Sequence, residues 1–112
     1  MKETKMTPAE FVMHWRMEKD DLLALFMAPN SETLVSQKIS SMGLSEQQRV
    51  ALRDVLNLVL TDMLYTLLLG LDGAASIGGV QHRYRVLDED GVLICGDGRV
   101  ETEAYAQLQA NG

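Results

Sequence analysis

Asp72, Ser76 and His82 are the residue types of an orienting acid, a nucleophile and a general base, and one short stretch of chain holds all three. A serine hydroxyl becomes a nucleophile when an imidazole takes its proton and a carboxylate fixes the imidazole's tautomer. That chemistry needs the three groups to meet in space, so closeness in sequence assembles nothing by itself. Ser76 also lies outside the G-x-S-x-G turn that exposes a hydrolase serine at the top of a sheet. The glycines at 73, 78 and 79 suggest a phosphate cradle. A P-loop, however, follows a strand, precedes a helix and carries a lysine that reaches the phosphates. Here the loop 72–79 leaves a helix, enters a strand and has no lysine. A connection with permissive backbone geometry is the expected reading. Asp72, Ser76 and His82 remain the alternative: a small-ligand pocket or a hydrolase-like site.

Metal chemistry has less to work with. His14 and His82 are the only histidines, Cys95 is the only cysteine, and no paired-ligand spacing occurs. The acidic run 88–91 lacks the ligand spacing of a calcium loop and reads as a turn. No catalytic residue, metal site or cofactor is expected. Cys95 sits in the apolar run Val92-Leu93-Ile94-Cys95 without a neighbouring base, which predicts an inert, semi-buried thiol. One cysteine makes no internal disulfide, so a reducing cytoplasm is the simplest setting.

Charge says more than any motif. Sixteen Asp and Glu against ten Lys and Arg give a net charge of −6, which lacks the basic face a nucleic-acid backbone requires. Aromatic residues are only 5% of the chain, too few for a base-stacking platform. Asp88, Glu89, Asp90, Asp97, Glu101 and Glu103 cluster near the C-terminus with only Arg99 among them. A solvated face is the plain reading of that cluster. A docking surface that steers a basic protein partner is the sharper one.

The elements that must position these residues are legible from caps and periodicity. Thr7-Pro8-Ala9-Glu10 is a capping box with proline at the first helical position. Phe11, Trp15, Leu22, Leu25 and Phe26 then recur on one helical face until Pro29 stops the helix near Met27. Asn30 and Ser31 offer a cap for a short second helix with Leu34, Val35, Ile39 and Met42 on its apolar face, ending at Gly43. Ser45-Glu46-Gln47-Gln48 opens a long third helix that should run to Leu69, with Gly70 just past it.

That helix reverses the usual proportions. Arg53, Asn57 and Thr61 form a narrow polar stripe with Asp54 and Asp62 beside it, and almost everything else from Val50 onward is apolar. A surface helix normally shows an apolar stripe and a broad polar face. The sequence therefore predicts either a central rod or a helix covered by another chain. A bilayer is not the expected cover, because Asn57, Thr61 and Asp62 interrupt the apolar stretch and an Asp at mid-membrane costs about 3 kcal/mol. The N-terminal eight residues have charge but no apolar core, so they do not read as a secretory leader.

Beyond the loop, residues 80–87 alternate, with Tyr84 and Val86 on one face and Arg83 and Arg85 on the other. The turn at 88–91 and the run 92–95 complete a predicted β-hairpin. Val100, Ala104, Tyr105 and Leu108 fit the face of a last short helix, and Asn111-Gly112 should fray. The whole is one domain over residues 1–112, because a chain of this length supports one core. Its fold class is α+β, mostly helical: three N-terminal helices with a long central third, then a hairpin and a short C-terminal helix. A two-stranded hairpin is marginal alone and leaves open edges, a second reason to expect a partner chain.

In composition the chain resembles small bacterial accessory proteins such as immunity proteins and antitoxins that neutralise basic toxins. That likeness implies a non-enzymatic binder and assigns no residue a role. The expected function is protein binding, with self-association as a homodimer through the long helix, the hairpin edge or both, and an acidic C-terminal third facing a basic partner.

Overall fold

The computed structural model describes residues 6–110. Helix α1, Pro8–Met27, begins at the predicted capping box: the Thr7 hydroxyl accepts from the Glu10 N–H at 3.1 Å and the Glu10 carboxylate accepts from the Thr7 N–H at 3.0 Å. It ends at Ala28, whose extended backbone is what a following proline imposes. Helix α2, Leu34–Ser41, is capped by Thr33 rather than by Asn30 or Ser31. The Ser31 hydroxyl instead serves the preceding loop, accepting from the Thr33 N–H and bonding its hydroxyl. Ser36 is buried and donates to the Ala28 carbonyl, which ties α2 to the end of α1.

Helix α3, Glu46–Leu71, starts at the predicted Ser45/Gln48 capping box and runs two residues past the predicted end. Gly70 lies inside the helix and does not terminate it. Its missing side chain has a different use: a Cβ there would stand 2.5 Å from Cγ1 of Ile77, so the Ile77 side chain packs where it does because position 70 has no Cβ. Asp72 ends the helix, its N–H donating to the Leu68 carbonyl at 3.0 Å.

The hairpin is much shorter than the alternating pattern predicts. Strand β1 is Val86–Leu87 and pairs antiparallel, with an irregular register, to β2, Leu93–Cys95. A strand extends only as far as its partner, and β2 stops at Gly96, where positive φ turns the chain away. Residues 81–85 therefore stay exposed and unpaired, and Val80 makes only an isolated bridge with Ile77. The last segment is α4, Arg99–Ala104, continued by a π-helical turn, Tyr105–Gln109. The predicted fraying of Asn111 and Gly112 lies outside the described residues. Four α-helices, one hairpin and this turn make the α+β, mostly helical fold expected of the sequence.

One core holds these elements together. Val12 of α1, Leu64 and Leu68 of α3, Ile94 and Cys95 of β2, and Val100, Ala104 and Leu108 of the C-terminal segment form a single buried cluster. The predicted inner face of α1 needs correction. Trp15 and Leu25 are exposed, and the buried positions are Val12 and Leu23. Val12 packs in the same cluster as Val100 and Ala104, and such small side chains admit the closest approach of two helices, which turns the bulkier side of α1 outward. The apolar face read on α2 is largely outward: of its residues only Ile39 is buried, and Leu34 is 82% exposed. Tyr105, on the face read for the last helix, is likewise exposed.

Candidate functional site

Two regions gather the residues singled out from the sequence. The first is a cleft of about 360 Å³ lined by Asp72, Gly73, Gln81, His82, Arg83, Tyr84 and Gly96. Asp72 and His82 thus share a wall, whereas Ser76 is exposed outside it. No hydrogen bond joins any two of the three among the described residues. The rings of His82 and Tyr84 stack at a tilt, 5.2 Å between centroids.

The Asp72 carboxylate is committed elsewhere. One oxygen accepts from the Gly96 N–H and, at 3.2 Å, from the Asp97 N–H, and the other accepts from the Glu101 N–H at 2.8 Å. Glu101 stands in the first turn of α4, whose own cap residue, Gly98, has no side chain to offer. Asp72 therefore caps α4 from the far end of α3, a role normally filled by the residue just before a helix. A buried carboxylate with three backbone donors orders a junction. It is not placed to orient an imidazole. Gly96 fits the same junction, since a Cβ there would lie 2.9 Å from the Tyr84 carbonyl oxygen.

Cys95 lies beneath this junction, fully buried. Loss of water around the sulfur, and then the charges of Asp72 and Asp97, push its thiol up to about 11. Thiolate is the reactive form, so this cysteine is inert near neutral pH. Among the described residues no group of His, Cys, Asp and Glu is arranged to hold a metal ion.

The acidic cluster divides into two kinds of group. Asp88 accepts from the Asp90 and Val92 N–H groups and so builds the hairpin turn. Asp97 accepts from the Arg99 N–H and guanidinium, and the first of these bonds leads in holding its carboxyl below the usual range. Glu103 is half-buried and accepts weakly from Gln107. Glu89, Asp90 and Glu101 are exposed, and their carboxylates have no ion-pair partner among the described residues.

The second region is larger and almost wholly apolar. On α3 the polar stripe divides: Asn57 accepts from the Lys19 ammonium of α1 at 2.8 Å and Thr61 beside it is half-buried, whereas Arg53 is exposed. Arg49 likewise donates to the Met27 carbonyl at the end of α1. The outer side carries Val55, Val59 and Met63, all exposed, with Met63 at 62%. Leu58, 64% exposed, and Asp62 flank it and line a cleft of about 360 Å³ with Asn57 and Thr61 against Arg16 and Lys19 of α1.

Helix α2 leans on α1 and leaves a groove of about 440 Å³ against α3, lined by Leu34, Val35, Lys38, Ile39, Met42, Leu52 and Leu56. The sequence reads α3 as a central rod or a helix covered by another chain, and gives Leu34, Val35 and Met42 only as an apolar face of α2. Nothing in an eight-residue amphipathic helix tells whether its apolar face meets its own chain or another. By length and composition α3 would also be able to cross a membrane. Comparison with family models, curated proteins and solved structures finds no match for this chain.

Proposed function

We propose that this chain is a non-enzymatic protein-binding protein that works as a homodimer, with the apolar face of α2 and α3 as its contact surface. The observation that carries this reading is the reversal on α3, where Asn57 and Thr61 turn toward α1 while Val55, Leu58, Val59 and Met63 turn to water. An apolar patch of this extent on a soluble domain marks an interaction site.

Area supports a second copy as the occupant. A compact 12.4 kDa monomer exposes about 6,100 Å², and this chain exposes 7750 Å². A stable interface removes about 800 Å² from each partner, about half of that excess. Two-fold homodimers are also the commonest way in which one chain covers such a face. A bilayer is the poorer occupant. The inner side of α3 is bonded to α1, which carries Arg16, Glu18, Lys19, Asp20 and Asp21. Spanning would drag those charges into hydrocarbon or tear the two helices apart.

The rival reading, a small-ligand or hydrolase-like site from Asp72, Ser76 and His82, has weaker support because Asp72 is spent on backbone donors and Ser76 lies outside the cleft. Light scattering at micromolar concentration tests the proposal. The expected mass is near twice that of the chain, and Val59→Glu should give a monomer with its helix content intact. A wild-type monomer throughout a dilution series would refute it.

A further inference from the structure

Resting on the dimer reading above, we infer that two copies pack their α3 helices antiparallel about a two-fold axis near Val59, so that Met63 of each copy enters the α2–α3 groove of the other. The face is self-complementary because one chain carries both a hollow and a ridge. The hollow lies at the N-terminal half of α3, between Leu52 and Leu56 on that helix and Leu34, Val35, Lys38 and Ile39 on α2, with Met42 just past the end of α2. The ridge is Val55, Val59 and Met63, flanked by Leu58 and Asp62, and it continues toward the C-terminal half.

Direction decides whether Met63 reaches the hollow. Parallel, in-register helices would set Met63 level with the partner's residue 63, about 12 Å along the helix from the partner's α2. Antiparallel helices crossing at Val59 set residues 62–66 of one copy opposite residues 52–56 of the other. Helical spacing puts Leu52, Leu56 and Met63 toward one side of the face, and Leu58 and Asp62 toward the other. A two-fold axis perpendicular to both helices keeps these sides together. Each Met63 therefore leans toward the α2 helix of the facing copy, and Asp62 stays at the rim. Methionine, unbranched and flexible, suits an irregular apolar hollow.

Cross-linking distinguishes the arrangements. Val55 and Met63 are eight residues apart, about 12 Å along the helix. A disulfide needs Cα atoms closer than about 7 Å. Val55→Cys and Met63→Cys are prepared separately, then mixed and oxidised. Both positions are more than half exposed, so the substitutions should leave the fold intact, as thermal melting will check. The expected result is at least ten times more covalent dimer from the mixture than from either variant alone. Wild type, with only the buried Cys95, should give none. Self-linking by either variant as efficient as the mixture would overturn the antiparallel arrangement. A dimer by light scattering without mixed cross-links would overturn the arrangement and spare the dimer. A monomer that sediments with phosphatidylcholine vesicles would overturn both.

Discussion

The two ends of α3 are finished to different degrees. At the C-terminal end Leu64 and Leu68 are enclosed by α1, the hairpin and α4, and Asp72 closes the junction with three backbone hydrogen bonds. At the N-terminal end the helix has α1 on one side and a shallow α2 beside it, and its outer residues meet water. Ten hydrophobic residues are buried among those described, and seventeen large ones are exposed, many of them on α2 and α3. The radius of gyration, 16.8 Å, exceeds the roughly 13 Å of a compact chain this long for the same reason. The closed end holds most of the buried cluster. The open end is ordered by its helix caps and its ties to α1, and its apolar face is available for assembly.

The largest expected effect comes from comparing like substitutions at the closed end and on the exposed face of α3. Leu68 is fully buried, so Leu68→Ala should cost about 3–4 kcal/mol through lost burial and a residual cavity. Leu58→Ala, measured in a Val59→Glu background that is monomeric, should stay within about 0.5 kcal/mol. The same Leu58→Ala in the wild-type background should weaken the dimer and make the melting temperature more dependent on concentration. Urea unfolding of these variants is the measurement. Equal costs at Leu58 and Leu68 in the monomer would mean that the closed end and the exposed face do not differ as described.

Asp72→Asn should come next, at about 2 kcal/mol. The amide keeps one acceptor but turns an N–H₂ group toward backbone donors, leaving at least one of the Gly96, Asp97 and Glu101 N–H groups unsatisfied. The damage should be confined to the closed end. Amide exchange should accelerate at residues 93–104 and stay near its wild-type rate from Leu34 to Leu56. Uniform acceleration along the chain would show that Asp72 supports the global fold and not a local junction.

Much of this contrast was readable in the residues, and the unread part has physical causes. Caps are local, so Thr7/Glu10 and Ser45/Gln48 located two helix starts correctly. The fold class followed from caps, periodicity and turn residues. The excess of apolar residues on α3 also showed that something beyond an ordinary surface helix was needed. Rotation of a helix about its axis is not local. Whether Trp15 or Val12 faces inward depends on which neighbour permits the closest approach, and the small residues of α4 decided it from about ninety residues away. Strand length behaves similarly, since residues 81–85 have the alternation of a strand but no partner to pair with. The roles of Asp72 and Gly70 depend on Gly96 and Ile77, contacts that no spacing rule encodes. Asp72, in particular, had the residue type for catalysis and a position that uses it for capping.

The smallest expected effect concerns the exposed acids, and it sharpens the difference between a surface that folds and a surface that meets other molecules. Reversing Glu89, Asp90 and Glu101 to Lys changes the net charge from −6 to zero, since each reversal adds two. None of the three carboxylates holds a bond among the described residues that would be lost, in contrast to Asp88 and Asp97, which build turns. The cost in monomer stability should be about 0.5 kcal/mol, chiefly from placing a cation at the first turn of α4. Association is where the change should register. Two copies at −6 repel on approach, and salt screens that repulsion with a Debye length of about 10 Å at 0.1 M. Wild-type dimerisation should therefore quicken several-fold between low and high salt, while the triple variant should associate quickly at both. Stopped-flow association rates at two ionic strengths give the answer. If the wild-type rate ignores salt, the acidic third does not shape self-association. A basic protein partner gives the opposite sign: its association with wild type slows as salt rises, and the triple variant slows it further at low salt. The salt dependence thus separates repulsion between copies, governed by net charge, from attraction to a partner, governed by the acidic third.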